Sequence, residues 1–273
     1  MTMAMTSGAA RPHEVLITGA AGKIGRVLRA GLAGRYNGLR LLDRADLGAA
    51  APGEMLVQGD ICDRDAIDAA VSGVDAIVHL AGVARIGDWH AILPANIAAT
   101  YDLLDAARRH GVRRFVYASS HHAVGFYGRD EAIDETALPR PDCGYGLSKA
   151  FGEAACRLHA DKFGLAVACL RIGTMSEAPY DRRTLSTWIS PRDMVQLTAL
   201  ALEAPDLGYE ILYGVSANSR SWWRNDRAHA LGFRPQDSAD LFAGSILAMP
   251  DAEEAIARRF QGARFAASEF RER

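Results

Sequence analysis

A chain of 273 residues, 49% hydrophobic and 23% charged, has the make-up of a globular protein large enough to bury a substantial core. Its formal charge of −2 gives no basis for a nucleic-acid partner or an anionic membrane surface, and no apolar run is long enough to span a bilayer. Cys62, Cys143, Cys156 and Cys169 fall at no metal-ligand spacing, so no metal site is expected, and reduced thiols fit a cytoplasmic protein.

Residues 1–13 read as a flexible N-terminus, small and polar, without the apolar core of a secretory signal. Glu14–Thr18 is a short β-rich apolar run. The loop Gly19-Ala20-Ala21-Gly22-Lys23-Ile24-Gly25 follows, then Val27, Leu28 and Leu32 at helical spacing. A glycine loop between a strand and a helix predicts a dinucleotide site. Its backbone approaches a pyrophosphate closely, and the helix N-terminus favours the negative charge. The spacing is Gly19-x-x-Gly22-x-x-Gly25 and not the commoner G-x-G-x-x-G.

A second strand, Leu39–Leu42, ends at Asp43, where a carboxylate accepts from ribose hydroxyls and repels a 2′-phosphate; that favours NAD over NADP. Arg44 beside it tempers the preference. The third run, Met55–Val57, leads to Asp60 and Ile61 at a strand's carboxyl end, and Asp63 is the expected cap of the next helix. Asp75–Gly82 reads as a buried fourth strand whose last small residues leave room for a flat cofactor. His79 inside it is expected to be a satisfied core histidine. A long helix is predicted over Trp89–His110, with Asn96 either clasping nearby backbone or solvated.

The fifth strand, Arg114–Ala118, runs into Ser119-Ser120-His121-His122. After the turn-prone Pro139–Gly144, apolar residues at Leu147, Ala150, Phe151, Ala154, Ala155 and Leu158 predict a helix on which Tyr145 and Lys149 share one face. A free phenol titrates near pH ~10, and an ammonium beside it lowers that value, which makes Tyr145 a candidate general base. Leu165–Gly173 is a sixth strand.

Beyond residue 174 the pattern loosens into a loop with Arg182 and Arg183, a helix over Pro191–Ala204, a strand at Tyr209–Tyr213 and two tryptophans, Trp222 and Trp223, that call for burial. The reading is an α/β chain: a Rossmann-type doubly wound parallel sheet over 14–173, and a small C-terminal substrate lobe over 174–273 packed with it as one unit.

Several segments together resemble one family. They are Ala118-Ser119-Ser120-His121-His122-Ala123-Val124-Gly125, Arg140-Pro141-Asp142, Tyr145-Gly146-Leu147-Ser148-Lys149-Ala150-Phe151-Gly152-Glu153, Arg171-Ile172-Gly173, Leu185-Ser186-Thr187-Trp188, Gly214–Asn218, Trp222-Trp223 and Arg259-Phe260-Gln261-Gly262. The chain is similar, from about Val15 to Phe265, to the bacterial uronate dehydrogenases of the extended short-chain dehydrogenase/reductase superfamily.

That resemblance implies NAD-dependent oxidation of D-galacturonate and D-glucuronate at the anomeric carbon to an aldaro-lactone. Tyr145 would take the hydroxyl proton, Lys149 would hold the nicotinamide ribose, and Ser120 would bind the reacting oxygen. Ala84, His121, His122, Thr174 and Arg183 would line the sugar, with Arg183 on its carboxylate. Gly19, Gly22, Lys23, Ile24, Gly25, Asp43, Asp60, Ile61, Leu80, Ala81, Gly82 and Met175 would line NAD. A homo-oligomer is implied as well.

The chain departs from the family's usual Asn at His121 and its usual substrate-contacting Ser at Ala84. Related folds serve NAD-dependent nucleotide-sugar epimerases and dehydratases, which accumulate no NADH. They also serve NAD(P)-sensing regulators, which have no need of an intact Tyr145–Lys149 pair.

Overall fold

The computed structural model describes residues 11–86 and 89–271; most of the N-terminal segment 1–13 lies outside them. Seven parallel strands form the central sheet, in the spatial order β3-β2-β1-β4-β5-β6-β9. They are β1 (Glu14–Thr18), β2 (Gly38–Asp43), β3 (Glu54–Gln58), β4 (Ala76–His79), β5 (Arg114–Ser120), β6 (Ala166–Ile172) and β9 (Tyr209–Gly214). Two short strands, β7 (Thr174–Met175) and β8 (Trp188–Ile189), pair separately. Reversal of strand order about β1 and β4 opens a crevice at the carboxyl ends, where open α/β sheets bind ligands.

Alternate residues of each strand point to opposite faces, and both faces are covered, so the strands read as nearly unbroken apolar runs. Val15 and Ile17 pack with Leu28 of α1 (Lys23–Gly31) and with Leu32 at its C-cap. Leu16 packs on the other face with Ile67 of α2 (Arg64–Val71), which is capped by Asp63 as expected. His79 is buried between the hydroxyls of Thr18, 2.8 Å away, and Thr100, 3.0 Å away, and burial pushes its pKa down to about 3. It is a satisfied core histidine.

Four expectations change. The stretch Trp89–His110 is not one regular helix: α3 (Trp89–Ile92) passes through a π-helical turn at Leu93–Ala98 into α4 (Ala99–Arg109). The wider turn carries Asn96 inside, so it is not solvated. Its amide oxygen accepts from Val83 N (2.7 Å), and its nitrogen donates to Val83 O (3.0 Å) and Ser148 Oγ (2.9 Å). β5 continues through Ser120, and Ser119 within it donates to Glu153 Oε1 at 2.6 Å.

The third change concerns α5 (Gly144–Phe163), which forms where its apolar spacing predicted and ends at Gly164 in the left-handed region (φ 72°). Of the apolar positions that marked it only Ala155 is buried, beside Gly146, Ser148, Lys149, Gly152, Glu153, Cys156 and His159. Leu147, Phe151 and Leu158 remain 49%, 36% and 46% exposed.

Finally, the expected boundary at residue 173 does not follow the sheet. After α6 (Thr184–Thr187), a short helix where a loop was expected, comes α7 (Pro191–Glu203), which packs on α1. β9, expected in the C-terminal lobe, is hydrogen-bonded to β6 from Val167↔Tyr209 to Ile172↔Gly214. The C-terminal segments outside the sheet and α7 are therefore 174–190 and 215–271. Trp223 is buried there and donates to Gln261 Oε1 at 2.8 Å, while Trp222 is half-buried.

Candidate active site

The glycine loop joins β1 to α1, and its glycines are sterically required. Gly19 sits at φ 71°, and a Cβ there would lie 2.7 Å from Ala81 N; a Cβ on Gly25 would lie 2.4 Å from Gly19 O. Asp43, at the end of β2, accepts from Ala21 N (3.0 Å) and Ala45 N (2.9 Å), which ties the acidic strand end to the loop. A cavity of about 410 Å³ lies beside them, lined by Gly19, Gly22, Asp43, Asp60, Ile61 and Leu80–Gly82, with Arg44 and Cys62 also at its wall.

A second cavity, of about 320 Å³, continues from the loop to the strand ends. Its wall includes Gly19, Gly22, Lys23, Ile24, Gly25, Leu80, Gly82, Ala84, Ser120, Tyr145, Lys149 and Met175. Every residue expected on the cofactor thus lines one of two adjoining spaces. The cradle suits a dinucleotide: a backbone-walled loop at a helix N-terminus, then an acidic residue for a ribose.

The third cavity, about 690 Å³, begins at the same tyrosine. Ala84, Ser120, His121, His122, Tyr145, Thr174 and Arg183 all border it, with residues 249–253 and 262–265 of the C-terminal segment opposite. Tyr145 is therefore shared between the loop-side space and this one.

Tyr145 and Ser120 line the same cavity, and the Lys149 ammonium lies 5.7 Å from the Tyr145 ring centre. The expected lowering of the phenol's pKa is not found. Burial pushes Tyr145 up to about 12, with Ser120 pulling in the other direction, and Lys149 is brought down to about 8 by burial. The ammonium donates to Ala118 O at 2.7 Å and rests 4.8 Å above the Tyr117 ring, so its charge is directed at the end of β5. A protonated phenol at neutral pH is the resting state.

Composition could not separate the adjacent arginines; the fold does. Arg182 is exposed and donates to Leu247 O and Met249 O. Arg183, placed by the start of α6, donates from Nε to Gln261 O (3.3 Å), from Nη1 to Thr174 Oγ1 (3.4 Å) and from Nη2 to His121 Nε2 (2.5 Å). All three acceptors are neutral, and desolvation holds its pKa below the ordinary arginine range. A guanidinium turned into a cavity without a carboxylate partner among the described residues suits an anionic ligand.

Sequence reasoning missed Asp142, Gln261 and Phe265. Asp142 was noted only in a turn and in a family segment, with no role, and nothing in the spacing links it to His122, which it meets at 2.7 Å. His122, Asp142 and Cys143 bring ligand-type atoms within 4.8 Å of one another. Two of these atoms already bond each other, however, and Cys143 Sγ accepts the N-cap bond from Gly146 N at 3.3 Å.

Residues 15–190 match the model of the NAD dependent epimerase/dehydratase family. A uronate dehydrogenase of Pseudomonas syringae pv. tomato is 42% identical over 258 residues, 94% of either chain. One from Agrobacterium fabrum is 43% identical over 92% of this chain and 96% of its own. The crystal structure of a mutant uronate dehydrogenase from Agrobacterium tumefaciens, complexed with NAD, superposes with a TM-score of 0.89 at 42% identity, covering 93% of this chain and 97% of that one.

Proposed function

The chain belongs to the uronate dehydrogenases of the NAD dependent epimerase/dehydratase family, and from that premise we propose that it oxidises D-galacturonate and D-glucuronate at the anomeric carbon to the aldaro-lactone. It is an NAD-dependent dehydrogenase. NAD, when bound, supplies the hydride acceptor. Tyr145 takes the proton of the C1 hydroxyl, and Ser120 holds the same oxygen. Lys149 holds a ribose hydroxyl and favours the phenolate that develops. One C–H and one O–H bond break, and the products are lactone, NADH and a proton.

The observation that carries the substrate reading is Arg183, a half-buried cation with only neutral partners, in the same cavity as the Tyr145 and Ser120 hydroxyls. A hexuronate presents a carboxylate to the first and a hydroxyl to the second. Mixing protein, NAD and galacturonate should raise absorbance at the NADH band. Silence with both uronates, together with turnover of a nucleotide sugar and no net NADH, would transfer the chain to the epimerase reading.

We further infer a homo-oligomer. The exposed Leu147, Phe151 and Leu158 adjoin exposed Trp89, Leu93 and Tyr101, with Trp89 against Gly144 and the Tyr101 ring 5.7 Å from that of His159. A contiguous apolar surface of this kind suits a second copy of the chain. Among the described residues no helix is long and apolar enough to cross a membrane. Four free thiols fit the cytoplasm.

A further inference from the structure

His122, at the wall of the cavity of about 690 Å³, meets Asp142. Nδ1 of the imidazole lies 2.7 Å from Oδ2 of the carboxylate, and the two side chains are only 8% and 0% exposed. The carboxylate fills a notch left by two glycines. A Cβ on Gly125 would stand 1.9 Å from Oδ2, and one on Gly262 would stand 1.7 Å away. Gly262 N also donates to Gly125 O at 2.9 Å, so the turn after β5 and the C-terminal segment together fix where Asp142 sits. Among the described residues its Oδ1 has no hydrogen-bond partner, and burial raises the carboxyl to about 6, with the Cys143 thiol pulling it back. At neutral pH it is ionised and accepts only.

An accepting carboxylate on Nδ1 leaves one form of the neutral ring: Nδ1 carries the proton and Nε2 the lone pair. Burial, with the charges of Arg183 and Arg264, keeps His122 from protonating. The ring is stacked on Phe265 (centroids 4.1 Å) and lies edge-on to Tyr145 (5.8 Å). No protein partner among the described residues meets Nε2, and the ring faces the cavity. Its neighbour His121 differs: there Nδ1–H donates to Ile172 O at 3.0 Å, and Nε2 is occupied by Arg183.

We propose that Asp142 is a positioning residue that fixes the tautomer of His122, so that Nε2 accepts a hydrogen bond from a hydroxyl of the substrate. An orienting carboxylate behind an imidazole is a general device for this purpose. Two adjacent histidines then divide the cavity wall: one carries the cation for the carboxylate, and the other reads a hydroxyl. The identity of the hydroxyl donor rests on the uronate reading; the tautomer does not.

Nitrogen-15 spectra of the labelled full chain, with His122 assigned by its disappearance in His122→Gln, give the direct readout. In the unmodified protein His122 should show a protonated Nδ1 and an unprotonated Nε2. Asp142→Ala should move the ring toward the Nε2–H form and raise KM for galacturonate about tenfold, consistent with one neutral hydrogen bond, while kcat and KM for NAD change by less than about threefold. A protonated Nε2 in the unmodified protein overturns the proposal, as does an unchanged tautomer or an unchanged KM in the variant. The unmodified spectrum decides even where Asp142→Ala does not fold. Failure to oxidise galacturonate would sink the uronate reading and leave the tautomer test standing.

Discussion

Nε2 of His121 accepts a hydrogen bond from Arg183 across 2.5 Å, and it is free to accept because Nδ1–H is committed to Ile172 O. Burial, then the charges of His122 and Arg183, keep this imidazole well below its ordinary pKa, so the guanidinium rests on a neutral ring. The family's usual Asn offers an amide oxygen for the same purpose. His121→Asn should therefore hold KM for galacturonate within a few-fold, whereas His121→Phe, which removes the acceptor, should raise it about tenfold. Steady-state kinetics on both variants checks this; equal effects would break the link between His121 and Arg183.

Arg183→Ala should raise KM for galacturonate by roughly ten- to a hundredfold, the worth of a charge-assisted bond of about 1.5–3 kcal/mol. Arg182→Ala removes contacts to the Leu247 and Met249 carbonyls and should cost only a few-fold. Any slow oxidation of D-galactose should be nearly indifferent to Arg183. If galactose turnover fell as far as galacturonate turnover, the guanidinium would not be reading the carboxylate.

With Tyr145 held up to about 12 and Lys149 down to about 8, proton abstraction should be easier at higher pH. The sign follows from which form works: the phenolate fraction rises with pH, and the ammonium that supports it is lost above about 8. Thus kcat/KM at saturating NAD should climb below about pH 8 and bend over above it. Tyr145→Phe should bind NAD normally and lose at least about a hundredfold in rate. A level pH profile, or an active Phe variant, would rule the phenol out as base.

Behind the active helix, Arg171 makes a bidentate pair with Glu153 (Nε to Oε1 at 3.0 Å and Nη2 to Oε2 at 2.9 Å), clamping β6 to α5. Arg171 and Glu153 are 1% and 3% exposed. Removing one partner strands the other charge, at a cost of about 3–5 kcal/mol. Glu153→Gln and Arg171→Met should each show that loss in urea unfolding, and the double variant should recover part of it. Strict additivity would contradict coupling of the pair.

Charge on the outward face of α5 tests the assembly. Phe151→Glu or Leu147→Glu should halve the mass seen by light scattering at micromolar concentration, with circular dichroism unchanged. A monomer in the unmodified protein, or an assembly indifferent to both changes, would place the contact elsewhere or nowhere.

Much of the architecture was legible because strands covered on both faces appear as apolar runs, and because a glycine loop between strand and helix has few other uses. The spacing of Tyr145 and Lys149 is common on solvated helices, and only the glycine loop and the strand ends around it made the pair a candidate. β9 escaped assignment to the sheet because Tyr209–Ile211, only half-buried at the edge, looks like a strand of any small lobe. Periodicity located α5 but did not show which side turns inward, since that side carries Lys149 and Glu153 among small residues. Asp142 was invisible for a different reason: its partner is twenty positions away and is brought to it only by the turn before the helix.

The π-helical turn at Leu93–Ala98 works like a skipped tooth in a gear. Residues before it keep one angular phase and those after it another, so Asn96 meets Val83 and Ser148 while Leu103 and Leu104 still reach the core. Deleting one residue there would turn the following helix by about 100° relative to the preceding one. Either the clasp on Val83 or the apolar stripe of α4 would then face the wrong way. The tolerance of this chain to insertions and deletions should thus be least at a place where a sequence reader sees only an ordinary stretch of helix.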